Sequence, residues 1–306
     1  MTLGRLEWSC DGPGWPHRDH RIRTSRGYKL PTMTKPESIR LIALDLDGTL
    51  VKGQNGVTAR VRAAVRSAQD AGIQITIATG RMYQSARRFA EDLGVTIPII
   101  CYQGAMVRDP VTDEVFVHDT VPHGPASAAI EFARGIGLHV NAYLDDRLYM
   151  EADTPEGRFY AASSQVVINL VDDLVIAIEH GTTKLVFVTD EDHVLDTIAA
   201  LESHLGDDVR VTRSHPRFAE VIGREVSKGR ALRAVAASVG VPIQATMAIG
   251  DNLNDLDLVM VAGIGVAMGD GDPRVVASAD WVTGTYEEDG VAQAIDRILN
   301  TVTHPS

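Results

Sequence analysis

The chain has 306 residues, enough for one large domain or two modest ones. With 44% hydrophobic and 23% charged residues, it has the balance of a folded globular protein, which excludes disorder as its main state. A net charge of −12 leaves no general basic surface for nucleic acid, and two cysteines, Cys10 and Cys101, cannot build a disulfide framework or a thiolate metal site. No apolar run approaches the ~18 residues that span a bilayer. The expectation is an acidic, cytoplasmic protein with neither a nucleic-acid nor a membrane partner; its oligomeric state is not legible.

The N-terminus does not match the rest. Residues 1–32 carry six Lys and Arg against three Asp and Glu, two tryptophans, three prolines and no apolar periodicity. No apolar stretch there suits a secretory signal. Residues 1–33 are expected to be an unstructured extension, with Met33 an alternative start; a targeting arm is the less favoured reading.

From Leu41 the pattern changes. Leu41–Leu46 is a short apolar run ending at Asp47-Gly48, which predicts a strand and a turn. Thr58–Ala71 reads as a helix with Val57, Val61 and Val65 on one face and Gly72 as its stop. Ile73–Ala78 (strand), Met82–Leu93 (helix) and Pro98–Tyr102 (strand) continue the alternation, which predicts a parallel sheet with helical crossovers. A different stretch follows, residues 122–223. It mixes helices (Pro125–Arg134, Asp190–Leu205) with strands (Leu138–Tyr143, Lys184–Val188, Val209–Thr212, Phe218–Ile222). The first rhythm then returns. Ser227–Val239, Asn254–Val261 and Gly290–Leu299 read as helices; Thr246–Ile249, Ile264–Ala267 and Trp281-Val282 read as strands. The fold class is α/β: a Rossmann-like doubly wound parallel sheet built from residues 34–121 and 224–306, with an α+β cap domain inserted over 122–223.

Open α/β sheets bind ligands beyond the carboxyl ends of their strands, so polar residues there carry weight. The first strand ends in Asp45-Leu46-Asp47-Gly48-Thr49-Leu50, with two carboxylates close enough to repel unless a cation intervenes or one keeps a proton. A plain Asp-Gly turn is the alternative. The second ends in Ala78-Thr79-Gly80-Arg81, where a hydroxyl and freed backbone N–H groups favour an anion, unless Thr79 is merely a helix N-cap. A later strand ends in Ile249-Gly250-Asp251-Asn252-Leu253-Asn254-Asp255, whose oxygens suit a hard cation such as Mg²⁺ or simply a helix dipole. Lys228, in Val226-Ser227-Lys228-Gly229, gains meaning only beside these three.

Taken together, these four segments resemble the signature motifs of the haloacid dehalogenase superfamily of phosphotransferases. The insertion, the Val226–Gly229 phrase, Val266-Ala267-Met268-Gly269 and Glu287-Glu288-Asp289-Gly290-Val291 are similar to its Cof-type phosphatases. Two positions depart from the Cof pattern: Gln103 stands where Asn is usual before Gly-Ala, and Asp270 where Asn usually follows Met-Gly.

The resemblance implies a Mg²⁺-dependent phosphoric monoester hydrolase acting on a small phosphorylated metabolite, such as a sugar phosphate, through a phosphoaspartate. It implies Asp45 as nucleophile and Asp47 as acid and base. Thr79, Gly80, Lys228 and Asn254 would hold phosphate. Asp45, the Asp47 backbone carbonyl and Asp251 would hold Mg²⁺, with Asp255 orienting Lys228 or a metal-bound water. A phosphomutase of the same superfamily, or a non-catalytic phosphometabolite-binding protein, are the alternatives. Substrate choice is expected from the insert and Gln103. Asp145-Asp146-Arg147 reads as a hairpin tip, and Asp145 and Arg147 would contact substrate if that tip faces the site. Gly263-Ile264-Gly265 misses the dinucleotide fingerprint, the ten histidines show no ligand spacing, and Cys101 reads as packing.

Overall fold

The computed structural model describes residues 38–53 and 56–303. The extension expected over residues 1–33, with Cys10, lies outside them. No helix among the described residues is long and apolar enough to cross a membrane.

In chain order the first part contains β1 (Leu41–Leu44), α1 (Ala59–Asp70), β2 (Gln74–Ile77), α2 (Tyr83–Asp92), β3 (Ile99–Cys101), β4 (Met106–Arg108) and β5 (Val115–His118). The insert contains α3 (His123–Ile136), β6 (His139–Leu144), β7 (Arg147–Met150), α4 (Pro155–Ser164), β8 (Ile168–Leu170), α5 (Leu174–Ala177), β9 (Leu185–Val188), α6 (Val194–Leu205), β10 (Val209–His215) and β11 (Phe218–Gly223). The last part contains α7 (Lys228–Ser238), β12 (Thr246–Gly250), α8 (Leu256–Val261), β13 (Ile264–Ala267), α9 (Pro273–Ser278), β14 (Trp281–Val282) and α10 (Gly290–Thr303).

The main sheet is parallel, in the order β14-β13-β12-β1-β2. Every residue of β1 is buried, as its unbroken Leu-Ile-Ala-Leu run requires of a strand covered on both faces. Ile42 and Leu44 pack into one core, and Leu41 and Ala43 into another beneath α7, with Leu232 and Val235. On α1, Val61, Ala64, Val65 and Ala68 form the buried stripe, and the Thr58 hydroxyl caps its start by accepting from the Val61 amide.

β3 departs from expectation. It joins the parallel sheet only through a single parallel bridge, Ala78 to Ile100, and its main partner is β4, with which it pairs antiparallel. The cause is the bend after Cys101, where Tyr102, Gln103 and Gly104 all take positive φ (53°, 61° and 101°) and turn the chain back along β3.

The insert has its own six-stranded sheet, β10-β11-β9-β6-β7-β8, antiparallel except where β7 meets β8. Helices α3 and α6 cover one face, where Ala126, Ile130 and Leu201 pack with Phe187 of β9. Residues of its other face, including Tyr143, Met150 and Phe218, join the same core as Ile42 and Leu44.

Candidate active site

In the main sheet the chain runs outward from β1 to β2, then returns to β12 on β1's other side. Such a reversal opens a crevice at the carboxyl ends of the two central strands. Asp45 stands there, 3% exposed, its amide donating to the Ile249 carbonyl. One Asp45 carboxylate oxygen accepts from Lys228 Nζ at 2.6 Å. Lys228 is the first residue of α7, whose Ser227 cap accepts from the Arg230 amide, so the helix start fixes where the ammonium emerges. The same Nζ donates to Asp255 Oδ1 at 2.5 Å.

Asp255 is fully engaged. Its second oxygen accepts the backbone N–H groups of Asp251 and Asn252, locking the turn that follows β12. Asp251 accepts from the Thr49 hydroxyl at 2.8 Å. Gly48, at φ +97°, lets the two loops touch: a Cβ there would lie 2.2 Å from Asp251 Oδ2.

Carboxylate oxygens of Asp45, Asp251 and Asp255 all lie within 4.8 Å of one another, with one ammonium among them. Burial, then the Asp255 charge, holds Asp45 well above the usual carboxylate range. The same two causes push Asp251 up to about 7. Burial works against the Lys228 charge, but Asp255 and Asp45 more than offset it and keep the ammonium protonated. Three carboxylates thus share one ammonium, in a set of hard oxygens that fits a divalent cation such as Mg²⁺.

Asp47 is turned away from this cluster. Arg81 grips it with Nε to Oδ2 at 2.8 Å and Nη2 to Oδ1 at 2.5 Å, so the first motif's two carboxylates are held by different cations. Thr79 is not the N-cap of α2. That position is Met82, and the Thr79 hydroxyl instead accepts the Arg81 amide across the Gly80 turn.

The acceptor at the start of α2 comes from the insert. Asp146, in the β6–β7 turn, accepts from the Tyr83 and Gln84 amides and from the Tyr102 hydroxyl. The hairpin tip is therefore as expected, but its anchoring residue is Asp146. Asp145 and Arg147, which would contact substrate only if the tip faced the site, are not among the residues lining the cavity over Asp45; Arg147 borders a separate hollow with Arg88 and Asn169.

The cavity over Asp45 measures about 140 Å³. The core contributes Asp47, Gly80, Arg81, Gln103 and Asn254, and the insert contributes Tyr160, Ser163, Lys184, His215, Phe218 and Glu220. Lys184 and Glu220 form a buried ion pair at 2.7 Å, each 2% exposed. Burial opposes the Lys184 charge, and Glu220 outweighs it. Lys184 also donates to the Gly80 carbonyl at 2.8 Å, and Glu220 accepts from Gln103 Nε2 at 3.0 Å. Sequence reading passed over both. The available signal was a charge inside an apolar strand run, Lys-Leu-Val-Phe-Val and Phe-Ala-Glu-Val-Ile, where burial without a partner is prohibitive.

The chain belongs to the family of haloacid dehalogenase-like hydrolases, whose sequence profile matches residues 42–295. It is 32% identical over 269 residues to 5-amino-6-(5-phospho-D-ribitylamino)uracil phosphatase YitU of Bacillus subtilis, covering 85% of this chain and 96% of that protein. Phosphatase YwpJ of the same organism is 25% identical, covering 85% and 100%. A solved haloacid dehalogenase-like hydrolase from Bacteroides thetaiotaomicron superposes with a TM-score of 0.77 at 29% identity, covering 85% of this chain and 99% of that one. With its family, the chain is a phosphatase, a phosphoric monoester hydrolase, with a Rossmann-like core and an inserted cap.

Proposed function

We propose that this phosphatase hydrolyses a small phosphorylated metabolite, such as a sugar or polyol phosphate, through a phosphoaspartate on Asp45 and with Mg²⁺. The observation that carries this reading is the Asp45 carboxylate at the switch point, beside Lys228 and Asp251, with Asp47 two residues on and separately held by Arg81. Asp45 and Asp251, with the Asp47 carbonyl, would hold the cation, which offsets repulsion between the carboxylate and the incoming phosphate.

Asp45 attacks phosphorus in line, forming the new P–O bond as the ester P–O bond breaks. Lys228, the Thr79-Gly80 loop and Asn254 hold the phosphoryl oxygens as charge redistributes. Asp47 gives a proton to the leaving alkoxide, then takes one from the water that opens the acyl phosphate. The double hydrogen bond from Arg81 fixes the direction in which Asp47 points. The insert, closing over the site, shuts out bulk water and meets the leaving group. A cavity of about 140 Å³ suits a small leaving group, and Ser163 with Tyr160 and Phe218 offers hydroxyls and an apolar face to a polyol. The name of YitU describes a phosphorylated ribityl chain as that enzyme's substrate, which supports the same class here.

The test is a phosphate-release screen over sugar, polyol and nucleotide phosphates. Excess chelator should remove turnover and Mg²⁺ should restore it. Activity unchanged in chelator would refute the metal assignment. A quenched reaction should carry a phosphoryl adduct on Asp45, and an adduct elsewhere would refute the nucleophile.

A further inference from the structure

We propose that Gln103 is a positioning residue that makes the orientation of Asn254 depend on the seating of the insert. The two are coupled by a chain of hydrogen bonds that links Lys184, Glu220, Gln103 and Asn254: Lys184 and Gln103 both donate to Glu220, and Asn254 donates to Gln103. This rests on the phosphate-holding role given to Asn254 above, and extends it to how that role is switched.

The direction follows from the donor and acceptor inventory. Glu220 Oε1 accepts from Lys184 Nζ and from the Ser214 hydroxyl, and a carboxylate only accepts. Gln103 must therefore turn its amide nitrogen to Glu220 Oε2, at 3.0 Å. Its carbonyl oxygen then faces Asn254 and accepts from Nδ2, also at 3.0 Å. Asn254 has no freedom left to flip: one proton of Nδ2 is spent on Gln103 and the other is fixed in direction. Its Oδ1 is buried without a partner among the described residues. Reversing the amide would set two donors or two acceptors against each other at every step.

The first two members belong to the insert and the last two to the core. A buried ion pair is sustained only when its remaining hydrogen-bond capacity is met. Here those extra partners are core groups, the Gly80 carbonyl for Lys184 and the Gln103 amide for Glu220. Gln103 also packs directly on the phosphate loop, since a Cβ at Gly80 would lie 2.3 Å from Gln103 Nε2. Withdrawal of the insert would release Gln103, and with it the side chain of Asn254.

The experiment compares Gln103→Met, Gln103→Glu and the double variant Gln103→Glu/Glu220→Gln. Met fills the same space with no hydrogen bond. Gln103→Glu can still accept from Asn254 but repels Glu220, and the double variant restores a donor to the insert side. Amide exchange at Asn252 and Leu253 should rise about tenfold in both single variants and fall back in the double, with β12 amides little changed. Unchanged exchange in Gln103→Met, or a double variant no better than Gln103→Glu, overturns the coupling. In kinetics on p-nitrophenyl phosphate, Gln103→Met added to Asn254→Ala should cost nothing beyond Asn254→Ala alone. Multiplicative losses in kcat/KM would mean that Gln103 does not act through Asn254. Exchange needs no substrate, so a wild type that turns over no phosphoester would strike at the proposed function while the coupling is still decided.

Discussion

Asp45 is held in a conflict that its chemistry uses. It is buried beside Asp255 and Asp251, with a lysine shared rather than its own, and its carboxylate is held above the ordinary range. Asp45→Asn removes the proposed nucleophile and also one of the repelling charges. Turnover should fall by at least about a thousandfold, as for loss of a covalent nucleophile. The melting temperature should hold or rise, because Lys228 keeps Asp255 as its partner. Residual activity near the wild-type level, measured by phosphate release with the fold checked by circular dichroism, would remove Asp45 from the mechanism. A collapsed melting temperature would show that its charge is needed for folding.

At the level of elements, the junction between insert and core is made by helix capping rather than by hydrophobic contact alone. The start of α2 has no acceptor of its own, since Met82 cannot cap, and Asp146 supplies one from the β6–β7 turn. Asp146→Ala would leave two helix N–H groups and the buried Tyr102 hydroxyl without their acceptor. The expected cost is about 2–4 kcal/mol of unfolding free energy, read from urea denaturation. A loss below about 0.5 kcal/mol, the size of an ordinary surface change, would mean that water replaces the cap. This junction also marks the limit of what the sequence discloses. β1, α1 and α7 were legible because each is specified by neighbours in the chain: an apolar run, a Thr58 or Ser227 cap, a stripe at helical spacing. β3 was legible as a strand, but not its antiparallel partner β4, because that pairing depends on three consecutive positive φ values, which no propensity at Tyr102 or Gln103 announces. Asp45, Asp47, Lys228 and Asp251 could be singled out because each ends a strand or starts a helix. Lys184 and Glu220 could not, since their meaning lies in each other and in Gly80 and Gln103 across the junction.

For the whole molecule, chemistry and selection are divided between layers. In the proposed mechanism the core supplies the groups that meet the phosphate, and the insert supplies most of the cavity wall that would meet the leaving group. His215→Ala and Phe218→Ala should therefore reorder kcat/KM across a panel of sugar, polyol and aryl phosphates. Asp145→Ala and Arg147→Ala, which border no part of that cavity, should leave the order unchanged. A reordering by the hairpin-tip variants and none by His215→Ala would transfer selection to the tip.

The interlock between the first and last motifs has a consequence for how the chain is made. Thr49 and Asp251 touch across 202 residues of sequence, and β1 finds its central partner only when β12 exists. The six strands of the insert, by contrast, pair entirely within residues 139–223. During synthesis from the N-terminus the insert can close its sheet while β1 still has one edge open. Contacts of such long range carry the largest loop-closure cost and form late. A truncated or half-made chain therefore has the insert's sheet before it has the carboxylate cluster, and on the proposed mechanism it gains activity only once the strand carrying Asp251 is laid beside the one carrying Asp45.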